Sequence, residues 1–336
     1  MTSGSADIVV FGSIVQDLVS YTEKFPRPGE SVRGKLFESA PGGKGANQAT
    51  QAARLGGRVL MIGKVGNDTF GPLNIEALKK SGIQTDYIGI SETSGTATAM
   101  VTVSDQDEFF CHANDFLFNI CASIDVFLFV SSENTIVVTL GANLEIEPSR
   151  ADQVEAVIAG AKIFLCQYEI KVDTLRRGLE VAKKNNVRTF FNFAPGEANF
   201  DKSILRYVDI LCTNENETEF LSGMSAKTVD DAKEASKSLL SYGPSAVIAT
   251  LGKKGSIIAT EHEVKHIEAN VVKAVDTTGA GDSFCGALAY FLVYKPELSL
   301  DEQVRRASCI AAVSVQHRGT QSSYPWAKDL PSDLMR

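Results

Sequence analysis

Several things are scarce or missing in this chain of 336 residues, and each absence narrows its function. There is no basic excess: 33 Lys plus Arg face 41 Asp plus Glu, for a formal net charge of -8. That balance argues against nucleic acid or an anionic membrane as partner, since both select a basic face. The six cysteines (Cys111, Cys121, Cys166, Cys212, Cys285 and Cys309) include no C-x-x-C pair, so neither a disulfide framework nor a zinc ribbon is indicated. The most apolar stretch, Phe116–Val130, is interrupted by Asn119 and Asp125 and falls short of the roughly 20 residues that a membrane-spanning helix needs. The first residues, Met1 to Asp7, lack the basic and apolar regions of a secretory leader. The expectation is a soluble protein of a reducing compartment, cytoplasmic or nuclear.

What is present suits a well-packed fold: 44% of the residues are hydrophobic and 22% charged. Short apolar runs alternate with amphipathic stretches. Ile8–Phe11, Val59–Ile62, Ile163–Cys166, Val187–Phe193, Val208–Cys212 and Ala246–Thr250 read as strands. Ala46–Leu55, Leu73–Lys80 (with Gly82 as its C-cap), Val172–Lys184, Ser283–Tyr294 and Leu300–Gln316 read as helices. This alternation predicts a Rossmann-like α/β core, three layers deep, around a mostly parallel central sheet. Residues 14–40 and 93–140 hold strand-like segments without helices between them, including Thr96–Val103 and Thr135–Leu140. They predict a small antiparallel sheet beside the core, acting as a lid, within one domain spanning residues 1–336.

One motif is a decoy. His262-Glu263-Val264-Lys265-His266 spells H-E-x-x-H, a zinc-protease pattern that works only on a helix. Its neighbours, Ser256–Thr260 and Asn270–Val275, are β-rich, so a strand or turn is expected there instead. No P-loop is completed at Gly43-Lys44 or Gly252-Lys253, and Phe284 stands where a dinucleotide fingerprint wants its third glycine.

Two clusters carry chemistry. Asp276-Thr277-Thr278-Gly279-Ala280-Gly281-Asp282 precedes the apolar run Phe284–Tyr294. Small residues at 279–281 permit a tight turn whose amides, at a helix N-terminus, form an anion cradle. Asp282 in the first helical turn stands beside that cradle, where it can take a proton from an attacking hydroxyl. The other cluster, Gly42-Gly43-Lys44-Gly45-Ala46-Asn47, joins the first lid-like stretch to a helix, with a flexible diglycine followed by polar side chains suited to a small ligand.

Together the two clusters resemble the signature motifs of the PfkB-type carbohydrate kinases, in particular their ribokinase-type members. The likeness continues through Gly12–Asp17, Gly141-Ala142-Asn143, Cys166–Glu169, Asn192–Pro195, Asn214–Glu217, Thr250–Gly252 and Gly319–Ser323. The resemblance implies transfer of the γ-phosphate of ATP to the 5-hydroxyl of D-ribose. A related sugar or nucleoside kinase, acting on 2-deoxyribose, fructose or adenosine, is the alternative, as is a member impaired by an altered lid. By the same resemblance Val15, Gln16, Asp17, Gly43, Lys44, Gly45, Asn47 and Glu169 would bind the sugar, with Asp282 as general base and Gly279, Ala280 and Gly281 as anion hole. Asn214, Glu217, Thr250, Leu251, Gly252, Lys253, Lys254, Gly255, Gly281 and Ser308 would contact the nucleotide. Mg²⁺ would accompany ATP, organised by Glu217. K⁺ would act as a monovalent activator held by Asp276, Thr278, Ser314, His317, Gly319 and Ser323. The family likeness also implies a homodimer formed through the lid. Val15 departs from the pattern, standing where bacterial members place a sugar-binding Asn.

Residues 107–132 have no counterpart in that pattern. They hold Phe109, Phe110, Phe116, Phe118, Phe127 and Phe129 but no Lys or Arg, an apolar composition at odds with a solvent-facing hairpin tip. An atypical insertion is expected there, either a partner contact or a translated non-coding segment. The abrupt interruption of a hairpin favours the second.

Overall fold

The structure is a computed structural model and describes residues 6–104, 126–131 and 134–336. The chain opens with β1 (Ile8–Phe11) and then leaves the main sheet for the antiparallel pair β2 (Val15–Thr22) and β3 (Gly34–Gly42). It returns through α1 (Lys44–Arg54) to β4 (Val59–Gly66), α2 (Phe70–Lys80) and β5 (Gln84–Ser91). Next come β6 (Ala97–Ser104), β7 (Val126–Ser131) and β8 (Asn134–Thr139). Short helices α3 (Ser149–Gln153) and α4 (Glu155–Ala159) lead to β9 (Ile163–Gln167), α5 (Val172–Lys184) and β10 (Arg188–Asn192). The sequence β11 (Ile210–Asn214), α6 (Glu215–Ser222), α7 (Val229–Leu239), β12 (Ala246–Thr250), β13 (Ser256–Thr260) and β14 (Val264–Ile267) follows. The chain ends with α8 (Ala280–Tyr294), α9 (Leu300–Ser314) and the short α10 (Ser332–Met335).

Among the described residues these strands make two sheets. The larger runs β14-β13-β12-β11-β10-β9-β1-β4-β5, and only its β12-β13-β14 end is antiparallel. Its central strands are near-continuous apolar runs because helices cover both faces. β1 shows how: Ile8 and Val10 pack with Ala49 of α1 and Leu288 of α8, while Val9 and Phe11 pack with Leu175 and Leu179 of α5. The three-layer α/β expectation holds.

The smaller sheet runs β3-β2-β6-β8-β7 and joins the two stretches that the sequence set apart. It is mixed rather than antiparallel, because β2 and β6 pair in parallel from Val15↔Ala97 to Thr22↔Ser104. Sequence patterning fixes which residues face inward but not the direction of the partner, which here follows from the return of the chain through β4 and β5. The proposed insertion at 107–132 lies largely outside the described residues. Its end is β7, which pairs with β8 from Val126↔Thr139 to Ser131↔Asn134.

Two local expectations need correction. Residues 270–275 form no strand: the segment is irregular and exposed, Val271 to 97%. Propensity alone does not make a strand without a neighbour to pair with. The helix after the diglycine begins at Lys44 rather than Ala46, since Gly43 is its N-cap. The H-E-x-x-H pattern does fall in a turn and β14, with the His266 ring nitrogen 2.6 Å from the Lys254 carbonyl. Among the described residues no three His, Cys, Asp or Glu side chains converge as metal ligands.

Asp7 anchors the start of β1. Its carboxylate accepts from Arg58 Nε at 2.8 Å and from the Tyr294 hydroxyl at 2.6 Å, with Lys162 Nζ 3.4 Å away. The Arg58 hydrogen bond is the largest of several influences that bring its pKa from 3.8 down to about 2. A depressed carboxylate stabilises the fold above its unfolded-state pKa, and that contribution is lost as pH falls through the folded value. Arg58 and Lys162 are largely exposed, which screens part of the gain. Asp7→Asn should therefore lower unfolding free energy by about 1–2 kcal/mol at pH 7. In denaturant titrations the gap from the parent should close between pH 3.8 and about 2.

Candidate active site

Two turns meet at the site. At the first, β3 hands over to α1 through Gly43, whose φ of 89° lies in the region that side chains avoid. A Cβ there would also come within 2.7 Å of the Val15 nitrogen. At the second, Gly279 is left-handed (φ 75°) and caps α8. The Tyr324 hydroxyl donates to the Gly279 carbonyl at 2.9 Å, bracing the turn from beneath. The amides of Gly281 and Asp282 make no hydrogen bond among the described residues, and a Cβ on Gly281 would meet nothing within 4 Å. Free amides, open space and a helix N-terminus together make an anion-binding corner.

Asp282 is the point of contact between the turns. It is buried, and each of its carboxylate oxygens accepts from an amide in the first helical turns of α1: Asn47 Nδ2 at 3.0 Å and Gln48 Nε2 at 2.9 Å. Gln48 is itself held, donating to Asn192 Oδ1 at 2.9 Å and accepting from Gln167 Nε2 at 2.7 Å. From the same end of α1 the Lys44 amide donates to Glu169 Oε2 at 3.0 Å, and the Ser13 hydroxyl donates to the same oxygen.

Two cavities open from this corner. Asp17, Asn47 and Glu169 line the first, facing an apolar wall of Val15, Ala99, Val101, Ile136 and Val138 from the smaller sheet. Asn214, Glu217, Thr250, Ala280 and Gly281 line the second. Lys44, Gly279 and Asp282 line both.

The charges are unbalanced. Burial, reinforced by the Glu169 charge, pushes Asp17 up to about 7, and burial does the same to Glu217. Burial also raises Glu169. For Lys44, burial pulls the ammonium down but Asp282, Glu169 and Glu217 outweigh it, and the net shift is upward. A cation held among carboxylates stays charged throughout the neutral range.

The profile of the pfkB family carbohydrate kinases matches residues 5–115 and 125–327. The chain belongs to that family. Among its relatives, a ribokinase of Mus musculus is 41% identical over 332 residues, covering 98% of this chain and 95% of the other. A deoxyribokinase of Salmonella typhi is 34% identical, with 95% of each chain covered. The structure of an Arabidopsis thaliana ribokinase complexed with ribose and ATP superimposes with a TM-score of 0.84 at 28% identity, covering 99% of both chains. The family match is interrupted only at 116–124, a narrower break than residues 107–132.

In this carbohydrate kinase the expected sugar residues line the first cavity except for Gly45, which packs against the backbone of Ser13, and Gln16. Gln16 is buried on the opposite side of β2, donating to Ser39 Oγ and accepting from Asn74 Nδ2. Strand alternation sends residues 15 and 17 to one face and 16 to the other. Of the expected nucleotide residues, Asn214, Glu217, Thr250 and Gly281 line the second cavity. Asn214 and Glu217 also form a reciprocal cap at the start of α6. Leu251, Gly252, Lys253 and Gly255 lie in the turn beyond the cavity, closed by the Leu251 amide donating to the Gly255 carbonyl at 2.7 Å. Lys254 pairs with Glu215 and donates to the Lys227 carbonyl, and Ser308, on α9, does not line the cavity.

The expected cation loop is partly assembled. Asp276 accepts from the amides of Thr278 at 2.9 Å and Gly319 at 2.8 Å, tying the two loops together. Ser314 and Ser323 donate their hydroxyl protons to the carbonyls of Ala311 and Thr320. His317 is exposed, and among the described residues only its backbone is hydrogen-bonded.

Sequence reading missed Ser13, Gln48, Thr320 and Tyr324. Gln48 had a usable signal, a long polar residue between Asn47 and Ala49 in a helix whose other face is alanine-rich. Its side chain aims the carboxylate without facing either cavity. Losing one hydrogen bond to a charged acceptor corresponds to about 1.5–3 kcal/mol. Gln48→Leu should then reduce kcat by roughly 10–100-fold while leaving the sugar KM within a few-fold. Steady-state kinetics over both substrates, with circular dichroism to confirm folding, would check the split.

Proposed function

We propose that this kinase transfers the γ-phosphoryl group of ATP to the 5-hydroxyl of D-ribose. The observation that carries the reading is that Asp282 and Lys44 line both cavities, so an acceptor in one and a phosphoryl donor in the other would meet at a carboxylate base and a cation. Asp17, Asn47 and Glu169 supply acceptors and donors for ring hydroxyls, and the apolar wall covers the sugar's carbon face. With the 5-hydroxyl against Asp282, the carboxylate takes its proton as the oxygen attacks phosphorus. The free amides of Gly281 and Asp282 then face the equatorial phosphoryl oxygens, and Lys44 offsets their charge. The resemblance to mouse and plant ribokinases supports this reading.

Glu217, a carboxylate in the second cavity, is the residue suited to organise Mg²⁺ delivered with ATP, and that ion would offset the negative charge of the triphosphate. The oxygen atoms of Asp276, Thr278, Ser314, Gly319 and Ser323 make a hard donor set suited to K⁺, and the loop they belong to adjoins the anion-binding turn through Tyr324. An ion there would set the shape of the turn rather than touch substrate. Exposed Leu36, Phe37 and Met100 on the smaller sheet suit a homodimer formed through that sheet. The free thiols of Cys166, Cys212, Cys285 and Cys309 suit a cytoplasmic or nuclear setting.

A second acceptor, 2-deoxyribose, is favoured by Val15 at the apolar side of the first cavity and by the likeness to a deoxyribokinase. The test is ADP formation with each sugar in matched K⁺ and Na⁺ buffers, with the product assigned by phosphorus-31 NMR. Ribose-dependent turnover, faster in K⁺ and yielding the 5-phosphate, is expected. No ribose-dependent ADP, or phosphate on another hydroxyl, would refute the proposal.

A further inference from the structure

Beneath the anion-binding turn lies a feature that phosphoryl transfer does not use. Cys212 near the end of β11 and Cys285 near the start of α8 place their sulfurs 3.7 Å apart. Both are free thiols, 2% and 1% exposed, and the surface they retain is on the wall of the second cavity. Cys285 follows Asp282 by one helical turn, and Cys212 stands two residues before Asn214, so the pair sits between the base and the nucleotide cap. Both side chains belong to one apolar cluster with Ile210, Ile248, Phe284 and Leu288, which fixes β11 against α8.

That spacing selects a chemistry. Two sulfurs each bound at about 2.3 Å to one soft atom stand roughly 3.4–3.8 Å apart, the lower value at a pyramidal trivalent atom and the upper at a tetrahedral ion. The pair can thus bridge a single soft atom with little movement, whereas a disulfide would require the two sulfurs to approach to about 2 Å. Among the described residues neither thiol hydrogen-bonds a lysine, arginine or histidine side chain, although Lys44 lines the same cavity, and burial holds the Cys285 thiol well above its ordinary range.

We propose that Cys212 and Cys285 form a dithiol site that captures thiol-bridging trivalent arsenic in the second cavity and closes it to nucleotide. With an aryl arsenic(III) oxide, two S–H bonds and the arsenic–oxygen bond break and two As–S bonds form. Both protons leave with the oxygen as water, and arsenic stays trivalent. The nucleotide arm rests on the proposed function, whereas adduct formation does not.

The probe is phenylarsine oxide on the full-length protein, read by intact mass and by peptide mapping. One arsenic joining the Cys212 and Cys285 peptides is expected, with turnover reduced roughly tenfold or more and restored by 2,3-dimercaptopropanol. Saturating ATP should slow the adduct, and Cys212→Ala and Cys285→Ala should each abolish it. Mapping on the parent protein decides the site even where a variant fails to fold. No adduct, or one on other cysteines, overturns the proposal. An adduct at this pair that ATP does not slow overturns the occlusion, and it remains readable in a protein with no ribose-dependent turnover.

Discussion

One interaction organises this protein: the carboxylate of Asp282 held by two amides of α1. Asn47 and Gln48 lie 235 and 234 residues before it in the chain, so the contact exists only because α1 packs on α8 in the same apolar layer. Both carboxylate oxygens are oriented, and the remaining lone pairs are left for a hydroxyl. The same first turn of α1 donates its Lys44 amide to Glu169, so the first cavity and the Asp282 carboxylate are set by a single helix end. Anything that shifts α1 would misplace both at once.

Electrostatics explain why such a site has to be built by a fold of this size. Asp17, Glu169, Glu217 and Asp282 surround Lys44, and burial raises the pKa of each of the first three. Crowded carboxylates destabilise one another, and four segments far apart in sequence must hold them in place. In the proposed reaction the crowding falls at the join of the cavities, where a neutral hydroxyl would lose a proton and a polyanion would approach. The anion-binding turn answers with backbone dipoles instead of further cations, braced from below by Tyr324.

Much of this was legible in the residues. β1, α5 and β12 have the limits read from sequence, because each is an apolar or amphipathic run flanked by clear breakers. The anion-binding turn and its aspartate were legible for the same reason: glycines, a helix start and an acid in fixed order. Other features depend on partners that sequence does not name. The parallel pairing of β2 with β6 reflects the path of the intervening chain, and residues 270–275 have β propensity but no neighbouring strand. Gln16 was misread despite a rule that would have placed it, since its neighbours Val15 and Asp17 already occupy the cavity face. Gln48 was missed because a polar helical residue reads as surface until the partner 234 positions away is known.

The central claim is that Asp282 acts as base at the join of the two cavities. It is tested most directly by single-turnover phosphoryl transfer with Asp282→Asn, alongside calorimetric ribose binding. The amide keeps the size of the side chain and removes the proton acceptor, so ribose should bind within a few-fold of the parent while transfer slows by roughly 10²–10⁴-fold. Transfer at a near-parental rate would contradict the account, whatever the sugar affinity.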